Sequence, residues 1–483
     1  MTKKNKSSVN IISISVGQIL SILISFFSVS LTARFLGVKD YGTFNYLLSI
    51  VLIASKISDL GLSNIIFRET SKNTNGFLDL NVGLTIRMIS FTLVAIILNI
   101  IIRFLNFDLE GILLINIFFL STIFSARFMI VRDLLDIPLK VNLNMFYSNL
   151  FAVLDSLIFL VMVLLMPLFQ GGIKYVVLAY VFSNLPGFIL VQIYIRKKYA
   201  FNFKFSLHRA TWLIKQSLPL AGFLILISIF NQVDIFLLSY LDSEHATGIY
   251  SVASRLIIPL AILPSAMATT FFPKIVDNFK NKKDNSEIYN LINKILFSFS
   301  ISLALLLTFK AKAIILLIFG SQYEAAYSPS IYLVWSCVFL FFSYVSLDFF
   351  TASNKQIYNL LFAFLIVILS IILLTIYIPQ YSFYAAGVIK LAVSLIGAVF
   401  VMYNLNKIGL KIYFLDKKSV FWVLICLTLL YMISYLPLFL YLVLSPISIT
   451  LITIKTHFFK KEELFILLQK INMEHLTEKI SKW

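Results

Sequence analysis

Charge is what this 483-residue chain has least of: 13% of its residues are Asp, Glu, Lys or Arg, against about 25% in an ordinary soluble domain. Cysteine is almost absent as well. Cys337 and Cys426 each sit inside an apolar run, far apart in the chain, which excludes a disulfide framework and a thiolate metal cluster. The four histidines, His208, His245, His457 and His475, are scattered among loops and the tail, so no metal site or catalytic constellation is visible and no cofactor is implied. No GxxxxGK[ST] phosphate loop occurs, so ATP is not expected to power the chain's work directly. What is plentiful is hydrocarbon. Hydrophobic residues make up 60% of the chain, mean hydropathy is +0.94 and there are 47 Phe. Water cannot be the solvent for most of this sequence.

A helix needs about 20 apolar residues to cross a bilayer. Runs of that length fall at residues 10–36, 43–66, 80–103, 111–134, 145–169 and 172–195, then at 217–241, 249–272, 289–309, 326–350, 356–378 and 383–405. The stretch 418–455 is too long for one crossing, and Pro437 divides it into two with a turn at Ser434–Pro437. The expectation is an all-α integral membrane protein of about 14 transmembrane helices. Lys3, Lys4 and Lys6 ahead of the first run superficially resemble a secretory signal. That run is too long for one and has no small-residue cleavage site, so it reads as a retained first span.

The net charge of +18 is first a topological signal. With the amino terminus in the cytoplasm, Arg196, Lys197, Lys198, Lys204, Arg209 and Lys215 fall inside. So do Lys274, Lys280, Lys282 and Lys283, and the cluster Lys407, Lys411, Lys417 and Lys418. About 30 of the 40 basic residues are then cytoplasmic and about 6 (Arg34, Lys39, Arg103, Lys174, Lys310 and Lys312) are outside. This places both termini in the cytoplasm and accounts for the basic balance without nucleic acid. External loops are too short to carry a catalytic domain, which argues against an enzyme or polymerase. From Phe458 the tail carries an imperfect stripe of Leu464, Leu468, Ile471 and Leu476 with lysines between, suited to a helix on the cytoplasmic surface or to a solvated or partner-bound segment.

The joins between spans echo one another: ARFLGVKDYGTFNYLL (33–48), SYLDSEHATGIYSVAS (239–254) and LLIFGSQYEAAYSPSIYLV (316–334). In the first two, Gly42 and Gly248, each followed two residues later by an aromatic, read as the turn residues. The echo predicts an internal repeat of two six-helix lobes, residues 1–200 and 201–410, followed by spans thirteen and fourteen over 411–457 and the tail 458–483. With SLTARFLGVKDYG (30–42), DLGLSNIIFRE (59–69), GIYSVASRL (248–256) and IFGSQYEAA (318–326), in that order and spacing, the chain resembles the polysaccharide repeat-unit (O-antigen, Wzx-type) flippases of the superfamily that also holds the multidrug and toxin extrusion proteins. The resemblance implies an undecaprenyl-diphosphate-linked oligosaccharide moved from the cytoplasmic to the outer leaflet by alternating access, driven by an ion gradient of H+ or Na+. It also implies a polysaccharide polymerase and chain-length proteins as partners. A cation-coupled multidrug exporter is the alternative within that superfamily. Span one has Asn10 and Gln18 but no acid, whereas many multidrug extruders carry an essential Asp there, and this favours the flippase.

Charges within spans are costly, about 2.5–3.5 kcal/mol each on insertion scales, so they mark partners or wet cavities. Arg127, Arg132 and Lys294 are placed to reach the inner surface. The remaining cations, Arg87 in the inner third, Lys56 near the middle and Arg255 and Lys390 in the outer third, form a ladder suited to a diphosphate in a central cavity. Local neutralisation competes with that reading, since Lys56 can pair with Asp59 on one helical face and Asp234 with Arg255 at similar depth. Asp155 lies in span five. Asp234, beside Asn231 and Gln232, and Asp348 are candidates for ion coupling, with Asp348 readable equally as a helix-end residue near the cytoplasm. Pro186, Pro219, Pro259 and Pro264 each remove a backbone hydrogen bond and could permit bending.

Overall fold

A segment in hydrocarbon has no water to bond its backbone, so each N–H and C=O must be satisfied from within. The computed structural model, which describes residues 3–72, 78–105, 107–125, 130–142, 145–169, 171–198, 205–459 and Glu463, is built from helices and no strand occurs among them. In order these are α1 (Lys3–Asp59), α2 (Leu62–Ser71), α3 (Leu78–Phe104), α4 (Leu109–Ser121) and α5 (Arg132–Val141). There follow α6 (Met145–Leu165), α7 (Ile173–Lys198), α8 (Leu207–Leu241), α9 (Glu244–Arg255) and α10 (Ile262–Lys280). The last five are α11 (Ser286–Phe319), α12 (Tyr327–Ala352), α13 (Ile357–Lys407), α14 (Lys417–Ile433) and α15 (Leu438–Lys455).

Among the described residues nine helical stretches are long and apolar enough to cross a membrane. Two of them are double. The 51 residues of α13 would be about 77 Å long if straight, more than twice the hydrocarbon thickness. The helix instead breaks once, at Ser382 (φ 54°), and α1 breaks at Gly37 (φ 77°), a left-handed conformation open to glycine without penalty. The turn between α14 and α15 falls at 434–437, as the sequence predicts.

Other crossings are more interrupted than their hydropathy suggests. The second expected span, 43–66, stops at Asp59, where Leu60 (φ 51°) and Gly61 (φ 64°) take the chain out of the helix before α2. The fourth, 111–134, is α4 and then the start of α5. The eighth, 249–272, ends at Arg255 and resumes through a 3-10 turn at Ile258–Ala261. Pro259 accounts for this last break, because its ring clashes with the carbonyl four residues back, that of Arg255. Pro186 and Pro219, by contrast, sit inside α7 and α8, which remain continuous.

The chain divides into two compact units. The first comprises Met1–Arg255, Phe319–Tyr323 and Ala363–Ala386, and the second Leu256–Ile318, Glu324–Phe362 and Gly387–Trp483. Helices α8 and α9, which the repeat assigns to the second lobe, therefore pack within the first unit. Leu62, Ile66, Leu80, Leu134 and Leu213 form part of its core. The second unit is centred on Leu305, Val334, Trp422, Cys426 and Leu430, with Trp422 fully buried, donating to Thr453 Oγ1 at 3.1 Å and packed on Phe458. Of the tail stripe, Leu464, Leu468, Ile471 and Leu476 lie outside the described residues.

Gly42 and Gly248 turn out not to be turn residues. Both are inside helices, where α1 and α9 meet backbone to backbone: a Cβ on Gly42 would lie 1.7 Å from the Glu244 carbonyl oxygen, and one on Gly248 would lie 2.0 Å from that of Val38. The turns fall at Gly37 and at Asp242, the residue that caps α8. Lipid gives helices no hydrophobic reason to associate, so close approach through small residues supplies the dispersion energy instead.

Candidate functional site

One group of charged side chains buried in the first unit gathers where α1, α2, α3 and α5 meet. Arg87 of α3 has no exposure to solvent. Its Nη2 donates to Asp59 at the end of α1 and to Ser63 Oγ of α2 (2.7 Å), and its Nη1 donates to the Ile130 carbonyl. Ser63 in turn donates to Asp133 of α5, which also takes a hydrogen bond from Lys140 Nζ at 2.5 Å. Half-buried Lys56 stands within electrostatic reach of Asp133 and Arg87. Asp59 and Ser63, on either side of the helix break at Leu60–Gly61, meet on one guanidinium. Asp59 thus pairs with Arg87 and not with Lys56, the neighbour that helical spacing would select.

A second buried pair was not visible in the sequence. Arg132 and Lys294, expected at the inner surface, are both buried, at 1% and 4% exposure. Arg132 opens α5, a helix whose residues from Arg132 to Leu139 are all buried, and it donates to Asp155 of α6. The other Asp155 oxygen accepts the Gly187 N–H at 3.0 Å, in the close contact of α6 with α7. Lys294, in the second unit, pairs with Glu463 at 2.9 Å. Arg127 lies outside the described residues. Beside the same cluster of α2, α3, α5 and α8, Arg209 of α8 holds Asp79 through two hydrogen bonds of 2.6 and 3.0 Å.

Arg255 is placed differently. It is half-buried on the last turn of α9, immediately before the break, and its Nη2 donates to the amide oxygen of Asn45 on α1 at 2.8 Å. Among the described residues no carboxylate lies within ion-pair distance of it. An amide oxygen orients a guanidinium without cancelling its charge. Asp234, the expected local partner of Arg255, instead accepts the Tyr250 hydroxyl at 2.5 Å and its neighbour's backbone N–H, that of Ile235, at 3.1 Å. Asn45 and Tyr250 were legible only as polar residues in apolar runs.

Two of the expected site residues belong to the second unit. Lys390 is half-buried on the second half of α13, within electrostatic reach of the Cys337 thiol, and Asp348 is half-buried near the end of α12. The structure thus brings Lys56 and Arg87 together, sets Arg255 against Asn45, and places Lys390 and Asp348 in the other unit.

A family model described as polysaccharide biosynthesis protein matches residues 8–279. No curated protein sequence matches the chain. Among solved structures, an inward closed conformation of the lipid II flippase MurJ is similar with a TM-score of 0.73 at 16% identity, over 95% of this chain and 99% of that one. An inward-facing multidrug resistance MATE family transporter of the MOP superfamily gives 0.58 at 14% identity, over 83% and 99%. A mutant of the Vibrio cholerae MATE transporter VcmN gives 0.58 at 13%, over 84% and 99%. At these identities the likeness is one of fold.

Proposed function

The chain belongs to the polysaccharide biosynthesis protein family, and on that premise we propose that this multi-pass membrane protein is a flippase carrying an undecaprenyl-diphosphate-linked oligosaccharide repeat unit from the cytoplasmic to the outer leaflet of the bacterial plasma membrane. The observation that carries the reading is Arg255: a half-buried guanidinium with an uncompensated charge, at the point where a membrane helix is broken. Broken helices at membrane depth are tolerated where they line a cavity, and in transporters such breaks mark substrate sites. A guanidinium suits a diphosphate, whose oxygens it can bond in pairs. A fold like that of a lipid II flippase supports the same class of cargo.

In this reading Arg255 binds the diphosphate, with Lys56 and Lys390 as further cations along its passage. Arg87 serves it in a conformation in which Asp59 has released the guanidinium. Asp234 is the candidate for H+ or Na+ coupling, Asp348 a second, and both termini face the cytoplasm.

The test is reconstitution in liposomes with a fluorescent polyprenyl-diphosphate oligosaccharide. Arg255→Ala is expected to lower the initial translocation rate at least tenfold and Arg255→Lys to retain part of it, since lysine keeps the charge but not the paired hydrogen bonds. An unchanged rate in Arg255→Ala would overturn the assignment of the site. Absence of lipid movement in the wild type, together with ion-driven efflux of a cationic dye, would assign the multidrug exporter instead.

A further inference from the structure

The second unit holds a cavity of about 210 Å³ that the flippase reading leaves unused. It lies between α11, α12, the second half of α13 and the loop that follows α13. Its wall includes Phe297, Val338, Phe342, Leu395 and Phe414, with Asn293 as the one polar residue of its lining. The volume is below the roughly 300–1,000 Å³ of a site for a drug-sized ligand, and an oligosaccharide would lose its hydrogen bonds against such a wall. A hydrocarbon chain fits both facts.

Asn293 adds a second requirement. It is 1% exposed, and its Nδ2 donates to the Tyr289 carbonyl at 2.9 Å, which fixes the amide's orientation because a carbonyl can only accept. Its Oδ1 is then buried with no hydrogen-bond partner, an unfilled acceptor in the lining of an apolar cavity. The ligand should therefore bring a hydroxyl or amine donor as well as a chain.

Charge supplies the third. Asn290, one turn from Asn293, accepts the backbone N–H groups of Tyr413 and Phe414 at 2.7 and 2.8 Å, pinning the loop beside the cavity. Three residues beyond Phe414 come Lys417 and Lys418, both exposed and without an ion pair among the described residues. Their neighbours are already engaged: Asp416 accepts from Ser419, Lys411 faces Asp284, and Lys407 stacks on Tyr403. Two uncompensated cations beside a chain-sized cavity suit a phosphate at the membrane surface.

We propose that this cavity holds part of an acyl chain of a resident anionic phospholipid of the phosphatidylglycerol type, with its phosphate at Lys417 and Lys418 and a head-group hydroxyl donating to Asn293 Oδ1. It is a lipid of the surrounding bilayer and not the transported carrier, for which the cavity leaves no room beside the chain for a sugar. The site does not depend on the flippase reading.

Native mass spectrometry of the delipidated full-length protein tests it, with phosphatidylglycerol, phosphatidylcholine and undecaprenyl phosphate as probes and a melting curve as the control for folding. The wild type should bind one phosphatidylglycerol at least tenfold more tightly than phosphatidylcholine. Val399→Trp and Leu395→Trp alter rim positions that are 58% and 45% exposed, so the fold should tolerate them, and each should remove that binding. The double change Lys417→Ala with Lys418→Ala should abolish the preference between the two phospholipids, and Asn293→Leu should lower phosphatidylglycerol affinity while chain binding persists. Phosphatidylglycerol binding unaltered in both rim variants overturns the proposal. So does displacement by an equal amount of undecaprenyl phosphate, which would make the cavity a site for the carrier.

Discussion

Arg87 and Arg255 are the same residue type in the same kind of helix, yet their surroundings set them apart. Arg87 is wholly buried with a carboxylate on its guanidinium, and removing one member of such a pair leaves the other charge buried alone, at a cost of about 3–5 kcal/mol. Arg87→Ala is therefore expected to lower the melting temperature and the amount of protein in the membrane, and Asp59→Ala to do the same. The double variant should regain much of the loss, as a double-mutant cycle in detergent would record. Arg255→Ala should leave the melting temperature within a degree or two of the wild type while transport falls. If Arg87→Ala proved as stable as the wild type, the pair would not be holding the fold in place. Both arginines were legible in the sequence as cations in apolar runs. Their partners were not, because Asp59 meets Arg87 through the packing of one helix on another, which hydropathy does not encode.

The elements show where small residues and caps decide the packing. Gly248→Ala places a methyl group where the Val38 carbonyl oxygen already lies, so α9 must move from α1, and overpacking of this kind costs about 1–3 kcal/mol. The expected result is a lower melting temperature, with Gly248→Leu worse than Gly248→Ala. Equal stability of all three would mean that the helices do not meet here. At the start of α14, Asp416 accepts the Ser419 N–H at 2.8 Å and its hydroxyl at 2.9 Å. Asp416→Ala should cost about 1 kcal/mol of stability, the usual worth of an N-cap. Burial pushes the Asp416 carboxyl up, but the hydrogen bonds from Ser419 and the charge of Lys294 together hold it below the ordinary value. Its contribution is thus present above the unfolded-state pKa and lost as pH falls, so the wild type and Asp416→Ala should converge in acid. Pro259 was legible only as one of four prolines open to bending, within a span expected to run unbroken over 249–272. That Gly42 and Gly248 serve contact and not reversal was not legible, since both roles favour glycine.

At the scale of the whole molecule, the basic balance makes a prediction about sidedness. Replacing Cys337 and Cys426, both buried, should give a cysteine-free background. In it, Lys283→Cys is expected to react with an impermeant maleimide only from the cytoplasmic side and Lys174→Cys only from the outside. The reverse pattern would invert the orientation of the proposed transport.

Composition and period alone determined that this is a membrane protein built of helices, because the absence of water in hydrocarbon leaves the backbone few alternatives and each apolar run carries its own evidence. Motif order along the chain was enough to point to the family. Only the tertiary structure decided which cation keeps its charge and which is neutralised, that Arg132 and Lys294 are buried, and that α8 and α9 pack in the first unit. The reason is physical: hydropathy is a property of a segment, whereas an ion pair or a glycine contact is a property of two segments, and their separation in space is set by breaks such as Gly61 and Pro259 that a single segment does not reveal.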